Sequence, residues 1–278
     1  MRESIICVGK MGAAPYCFPE TGVKIYTYEE ICYYLSRHLI CYLHTLPEEE
    51  LLCYIRDELG LDKLYRQLQK LKDPKKDQMK YFAALFREGN YFSEEDIRKI
   101  LDEYRELKEA PPALSGKWLG DMYLSYRQTS MAIRCYHKAL GAEGAGKELR
   151  GAIYHNRAVA KARLFRFQDA RVDFLKSYQQ TGEEESLFGY YSVVALTEGV
   201  MTANGELDGF QVSDLMKESF ESRFAGASEE SNHTDQAARV DRMLFLEEEG
   251  RAEEARMLYR KMVRGLQNEF RRELEVNR

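Results

Sequence analysis

Ala132-Ile-Arg-Cys-Tyr136-His-Lys-Ala139 sets the pattern on which the fold is read: a small residue, an aromatic four places on, a small residue three beyond. Residues at these offsets share one face of an α-helix. Gly120-x-x-Tyr123 precedes this stretch, and the pattern recurs as Ala158 … Ala170-x-x-x-Phe174-x-x-Ser177 and as Ala255-x-x-x-Tyr259-x-x-Met262. Phe188, Tyr191, Ser192 and Ala195 stand in register between the last two, one period after the helix that carries Tyr154, Ala158 and Lys161.

This pattern resembles the tetratricopeptide (TPR) repeat, over about residues 115–265. The resemblance implies helical hairpins, with small residues where two helices cross, stacked into a superhelix with an extended binding surface. The family period is about 34 residues. Ala170 follows Ala132 at slightly more than one period, the excess fitting the Gly141–Gly146 stretch as a connection between hairpins. Ala255 follows Ala170 at about two and a half periods. Asn204 stands where the next small crossing residue belongs, so the extra chain is expected between Ala203 and Asn232. Within it, Ala225 to Asn232 is expected to be a mobile surface loop because its residues are small and polar.

The N-terminal region is outside the resemblance. Pro15-Tyr16-Cys17-Phe18 and Val23-Lys24-Ile25-Tyr26 flank Pro19-Glu20-Thr21-Gly22, which suggests a short β-hairpin near 15–26. Thr27 and Glu30 form a capping-box signature, and Ile31, Tyr34, Leu35, His38, Leu39, Tyr42 and Leu43 follow as an apolar stripe. Further helices are expected from Pro47 to Gly60 and from Asp62 to Leu71, the latter stopped by Asp73-Pro74. A hairpin broken at Gly89-Asn90 and restarted by Ser93 ends at Ala110-Pro111-Pro112 and reads as a degenerate capping repeat. The expected architecture is all-α: an N-terminal helical cap over residues 1–110 and a TPR-like solenoid over 111–278, with an irregular insertion near 203–232.

Charged residues at 31% and hydrophobic ones at 44% match ordinary globular usage, which speaks against general disorder. A net charge of −5 argues against a nucleic-acid partner, since phosphate contacts need concentrated positive charge. The six cysteines (Cys7, Cys17, Cys32, Cys41, Cys53, Cys135) form no CxxC pair and read as free thiols in a reducing compartment. Ile5 to Val8 is too short for a signal-peptide core, and no apolar run approaches the ~20 residues of a membrane helix. A cytoplasmic location, with no membrane contact, is the expectation.

About half of the 19 tyrosines stand at or before Tyr91, in a core or on an interface. The five histidines, His38, His44, His137, His155 and His233, belong to no metal or nucleophile motif, and no Gly-rich phosphate loop occurs. No catalysis, metal or cofactor is therefore expected. His38, on an apolar stripe, reads as a satisfied core residue.

The TPR resemblance implies that first-helix residues line the groove. Carried over, these are Lys117, Trp118 and Asp121 from one repeat and His155, Asn156, Val159 and Arg163 from the next. Tyr190, Val193 and Thr197 follow from the third. Lys117 and Asn156 match positions that some TPR proteins use to grip a C-terminal carboxylate, but Asp121 stands where that clamp has Asn. A peptide of mixed or basic character is the expected ligand. The expected function is a protein- or peptide-binding adaptor or scaffold. The alternatives are a peptide-sensing bacterial regulator with a TPR-like receptor domain, or a structural subunit. A regulator with a DNA-binding output would need a basic N-terminal unit. Here only Lys63, Arg66, Lys70, Lys72, Lys75 and Lys76 cluster.

Overall fold

A computed structural model describes residues 9–72 and 78–275. Cys7, the Asp73-Pro74 stop and Lys75-Lys76 lie outside the described residues. Among the described residues the fold is all-α apart from one small antiparallel hairpin, and it divides into two units. The first comprises residues up to Tyr126 with Gly141–Gly144, and the second Arg127–Leu140 with the chain from Ala145 onward.

In the first unit, β1 (Tyr16–Cys17) pairs with β2 (Lys24–Ile25), Tyr16 opposite Ile25. Helix α1 (Tyr28–Arg37) starts at the expected capping box, Thr27 and Glu30 satisfying each other's backbone amides. The stripe predicted to continue through Leu43 is interrupted at His38, after which Leu39–Tyr42 form a 3₁₀ turn. Then come α2 (Glu49–Asp57), α3 (Asp62–Leu71), α4 (Gln78–Arg87) and α5 (Glu94–Glu109), the last capped by Ser93. Tyr28, Tyr34, Tyr42, Tyr54, Tyr81 and Tyr104 are buried in one core with Ile31, Leu35, Leu51, Phe82 and Phe86. The tyrosine enrichment is thus largely core packing. His38 is buried too. Its Nδ1 lies 2.6 Å from the Tyr34 carbonyl, which can only accept, so Nδ1 carries the proton and Nε2 accepts from the Tyr126 hydroxyl at 2.7 Å.

Helix α6 (Pro112–Ser125) belongs to this unit, which moves the boundary from the expected 110/111 to Tyr126/Arg127. Leu119 and Met122 pack on the first core, and the Tyr126–His38 bond fixes the end of the helix. Proline punctuation marks the end of α5 correctly, but a helix end need not be a domain end.

The second unit holds α7 (Thr129–Gly141), α8 (Lys147–Arg163), α9 (Phe167–Thr181) and α10 (Glu184–Glu198). It continues with α11 (Val200–Leu207), α12 (Asp214–Asn232), α13 (Asp235–Glu248) and α14 (Ala252–Glu275). Each of the pairs α8–α9, α9–α10 and α13–α14 packs directly, and their short connections return the chain antiparallel. The first of the three expected hairpins, α6 with α7, is divided between the units. Ala132, Ala170 and Ala255 are all buried, as their register requires. Five residues before each of them stands a left-handed residue: Arg127 (φ 60°), Phe165 (φ 57°) and Gly250 (φ 74°). Arg166 and Arg251, just after the last two, donate their amides to Lys161 and Leu246 at 3.0 and 2.8 Å, closing the same helix end twice. The close approach of α9 and α10 also needs Gly189, where a Cβ would sit 2.4 Å from the Phe174 ring.

Two stability predictions follow from these positions. Ala170→Leu should overpack the α8–α9 crossing and cost ~1–3 kcal/mol in a denaturant titration; an unchanged midpoint would mean the crossing is loose. Phe165→Gly should raise stability by about 1 kcal/mol, because glycine holds a left-handed φ without steric cost.

The expected irregular insertion is helical. Residues 225–232, expected to be a mobile loop, form the last turns of α12. They are exposed, but Ser213 caps the helix and Phe220 anchors it against Phe188 and Tyr191. Ala225, Ala227, Glu229 and Glu230 then propagate it, since one glycine is a modest cost in an established helix.

Candidate functional site

The ten residues expected to line a groove fall in both units. Lys117, Trp118 and Asp121 are on α6; the Lys117 ammonium is held by Asp121 at 2.6 Å, and Trp118 is 37% exposed. In the second unit, His155, Asn156 and Val159 are half-buried on α8, and Arg163 is exposed at its end. Val159 packs on the second core with Ala158, Ala170, Phe174 and Leu187. His155 Nδ1 lies 3.0 Å from the Ser186 hydroxyl, and its ring meets Phe174 edge-on. Tyr190 is buried; its hydroxyl donates to Glu206 at 2.5 Å and accepts from Arg171 at 3.2 Å. His155, Val159 and Tyr190 thus serve the packing of α8, α9 and α10.

Burial holds the His155 pKa below its ordinary 6.5, against the opposing pull of Glu185 and Glu183. The unfolded chain therefore takes up this proton first. The stability conferred by the neutral ring is complete above about pH 6.5 and is lost as pH falls through that value toward the lower folded pKa. Urea midpoints should drop between about pH 7.5 and 5.5, and His155→Gln should flatten that dependence.

Arg157 and Lys161 lie about half a turn of the helix away from His155, Val159 and Arg163. They face a cavity of about 540 Å³, whose other walls are Ile133, Arg134, His137 and Lys138 of α7 and Arg166 at the start of α9. Arg134 with Lys138, and Arg157 with Lys161, are i,i+4 pairs, so each helix presents two cations on one face.

The two walls are held differently. Asp173 of α9 is buried and takes the Arg157 guanidinium in a bidentate pair, both bonds 2.7 Å, and the Lys161 ammonium at 2.6 Å. The Tyr154 ring backs Arg157 at 5.3 Å. Asp169 holds Arg166 at 2.7 Å, and that guanidinium keeps the Asp169 carboxyl below the usual carboxylate range. Arg134 and Lys138 are exposed and make no ion pair among the described residues. Five permanent cations thus face two carboxylates in a chain of net charge −5. The cavity therefore carries a local excess of positive charge.

Sequence reading passed over these residues because the repeat resemblance directs attention to the other face of α8. The two i,i+4 basic pairs were the available signal.

A second surface lies on α13 and α14, where Ala237, Val240, Leu258, Met262 and Leu266 line an apolar cavity of about 500 Å³. Leu244, Phe245, Met257 and Tyr259 are also exposed there. Among the described residues no cluster of three metal-ligating side chains occurs, and no helix is long and apolar enough to cross a membrane. No family model matches the chain, and neither do curated proteins or solved structures.

Proposed function

We propose that the protein is a non-catalytic, TPR-like adaptor that binds a protein or peptide through the second unit, with the α7–α8 cavity as the contact site. The observation that carries this reading is the open cavity, with Arg134 and Lys138 in no ion pair among the described residues on one wall and two anchored cations on the other. Paired helices supply a rigid frame for such side chains, and rigid presentation limits the ordering cost of binding. Among the cavity's lining residues no nucleophile stands beside a base, so binding is the chemistry on offer.

Panning a random peptide display library against the full chain tests the reading. Enriched peptides should lose affinity when Arg134 and Lys138 are both replaced by Glu. Failure to enrich any peptide, or binding indifferent to that pair, would remove the cavity as an adaptor site.

One observation favours the structural-subunit alternative, namely the exposed apolar side chains of α13 and α14. That reading expects the protein to elute from native extract in a fixed complex with no free pool. An adaptor should show both free and bound fractions. The regulator alternative gains nothing from α3, where Lys72, just past the helix end, is paired with Glu49 at 2.6 Å.

A further inference from the structure

We infer that the α7–α8 cavity recognises an oxyanion carried on a peptide, either a phosphoryl group or a cluster of side-chain carboxylates. This rests on the adaptor reading and adds the chemistry of its ligand.

Arg134 and Lys138 repel each other at i,i+4 spacing on α7, and across the cavity they meet Arg157, Lys161 and Arg166. Among the described residues only Asp169 and Asp173 pair with these cations, both on the α9 side. A surface of this kind is electrostatically costly when empty and is relieved by an anion between its walls. Asp173 adds preorganisation. By fixing the Arg157 and Lys161 heads from a buried position it makes one wall rigid, while the exposed Lys138 and Arg134 side chains, the latter donating to the Met131 sulfur of its own helix, can close from the other. Asp173 is in this sense a positioning residue.

A polynucleotide fits less well. The cations are gathered round one cavity rather than spread as a stripe, and the chain is acidic as a whole. A peptide is favoured over a free anion by Phe165. It stands one residue before Arg166, is 82% exposed, and holds a left-handed backbone that costs stability for a bulky side chain. An exposed aromatic held at such a cost, next in sequence to a lining residue of the charged cavity, is suited to gripping the residues that flank the anion.

Fluorescence anisotropy with the full chain tests the assignment. Three labelled peptides of one scaffold carry a phosphoserine, a run of Glu or a run of Lys, and a single-stranded oligonucleotide serves as the fourth probe. The phosphoserine or the Glu peptide should bind roughly tenfold or more tighter than the Lys peptide, with affinity falling as salt is raised. Which of the two binds better identifies the source of the oxyanion. Arg134→Glu with Lys138→Glu, at exposed positions where helicity is expected to persist, should abolish the preference. Phe165→Gly should weaken peptide binding while raising stability; unchanged affinity would overturn the peptide assignment in favour of a bare anion. Equal binding of the Lys peptide, tighter binding of the oligonucleotide, or a preference that survives charge reversal would overturn the inference. Display panning separates the two levels. Enrichment of neutral or basic peptides sinks the oxyanion while the adaptor stands, and no enrichment sinks both.

Discussion

Asp173→Ala should destabilise the second unit by ~3–5 kcal/mol, the range for removing one partner of a buried ion pair. Its carboxylate is 2% exposed and meets Arg157 and Lys161, which are only 12% and 13% exposed. Deleting it leaves two cations in a poorly solvated place with no counter-charge, and that desolvation cost is larger than the lost attraction alone. The measurement is the urea transition of the second unit, followed by far-ultraviolet circular dichroism. A control separates the ion pairing from packing: replacing Asp173, Arg157 and Lys161 together by apolar residues of similar size should recover most of the loss. A single-variant loss below about 1 kcal/mol would mean that water reaches the carboxylate and that the two cations are not anchored by it. Asp173→Asn adds a functional readout. It keeps the shape but removes the charge, so the salt dependence of anionic-peptide binding should change even where the fold is retained.

Phe220→Ala should cost ~3–5 kcal/mol, as for other fully buried aromatic side chains. Phe220 is completely buried and sits among Phe188, Tyr191 and the second core, with ring centroids 5.3 and 5.7 Å away. It is the one residue of α12 that is buried, so truncation should release that helix specifically. Hydrogen exchange should then show lost protection over residues 214–232, with α8 and α9 still protected. Uniform protection in the variant would show that α12 is held elsewhere. Limited proteolysis gives a simpler check: the parent should resist cleavage at residues 225–232 and the variant should be cut there.

Much of the helical pattern could be read from residue order. Capping boxes at Thr27 and Ser93, the break at Gly89-Asn90 and the buried alanines Ala132, Ala170 and Ala255 are all local features, governed by backbone hydrogen bonding and helical periodicity. Composition alone points to a loop at residues 225–232, because the anchor at Phe220 is a tertiary contact. A run of small residues is helical or mobile according to whether its neighbours are already held. The placing of α6 in the first unit rests on long-range contacts, Leu119 and Met122 on the first core and the hydrogen bond between His38 and Tyr126.

The candidate site shows the same division. The sequence alone determined a helical chain and which side chains share a face of each helix, because these follow from a fixed rotation per residue. Only the tertiary structure decided what covers each side of α8: His155 and Val159 pack toward α9 and α10, while Arg157 and Lys161 lie between Asp173 of α9 and the α7 wall of the cavity. Periodicity places Asp173 on the same α9 face as Ala170 and Ser177. That its carboxylate is buried beneath two cations depends on how α8 lies across α9, a contact between helices that no spacing within either one specifies.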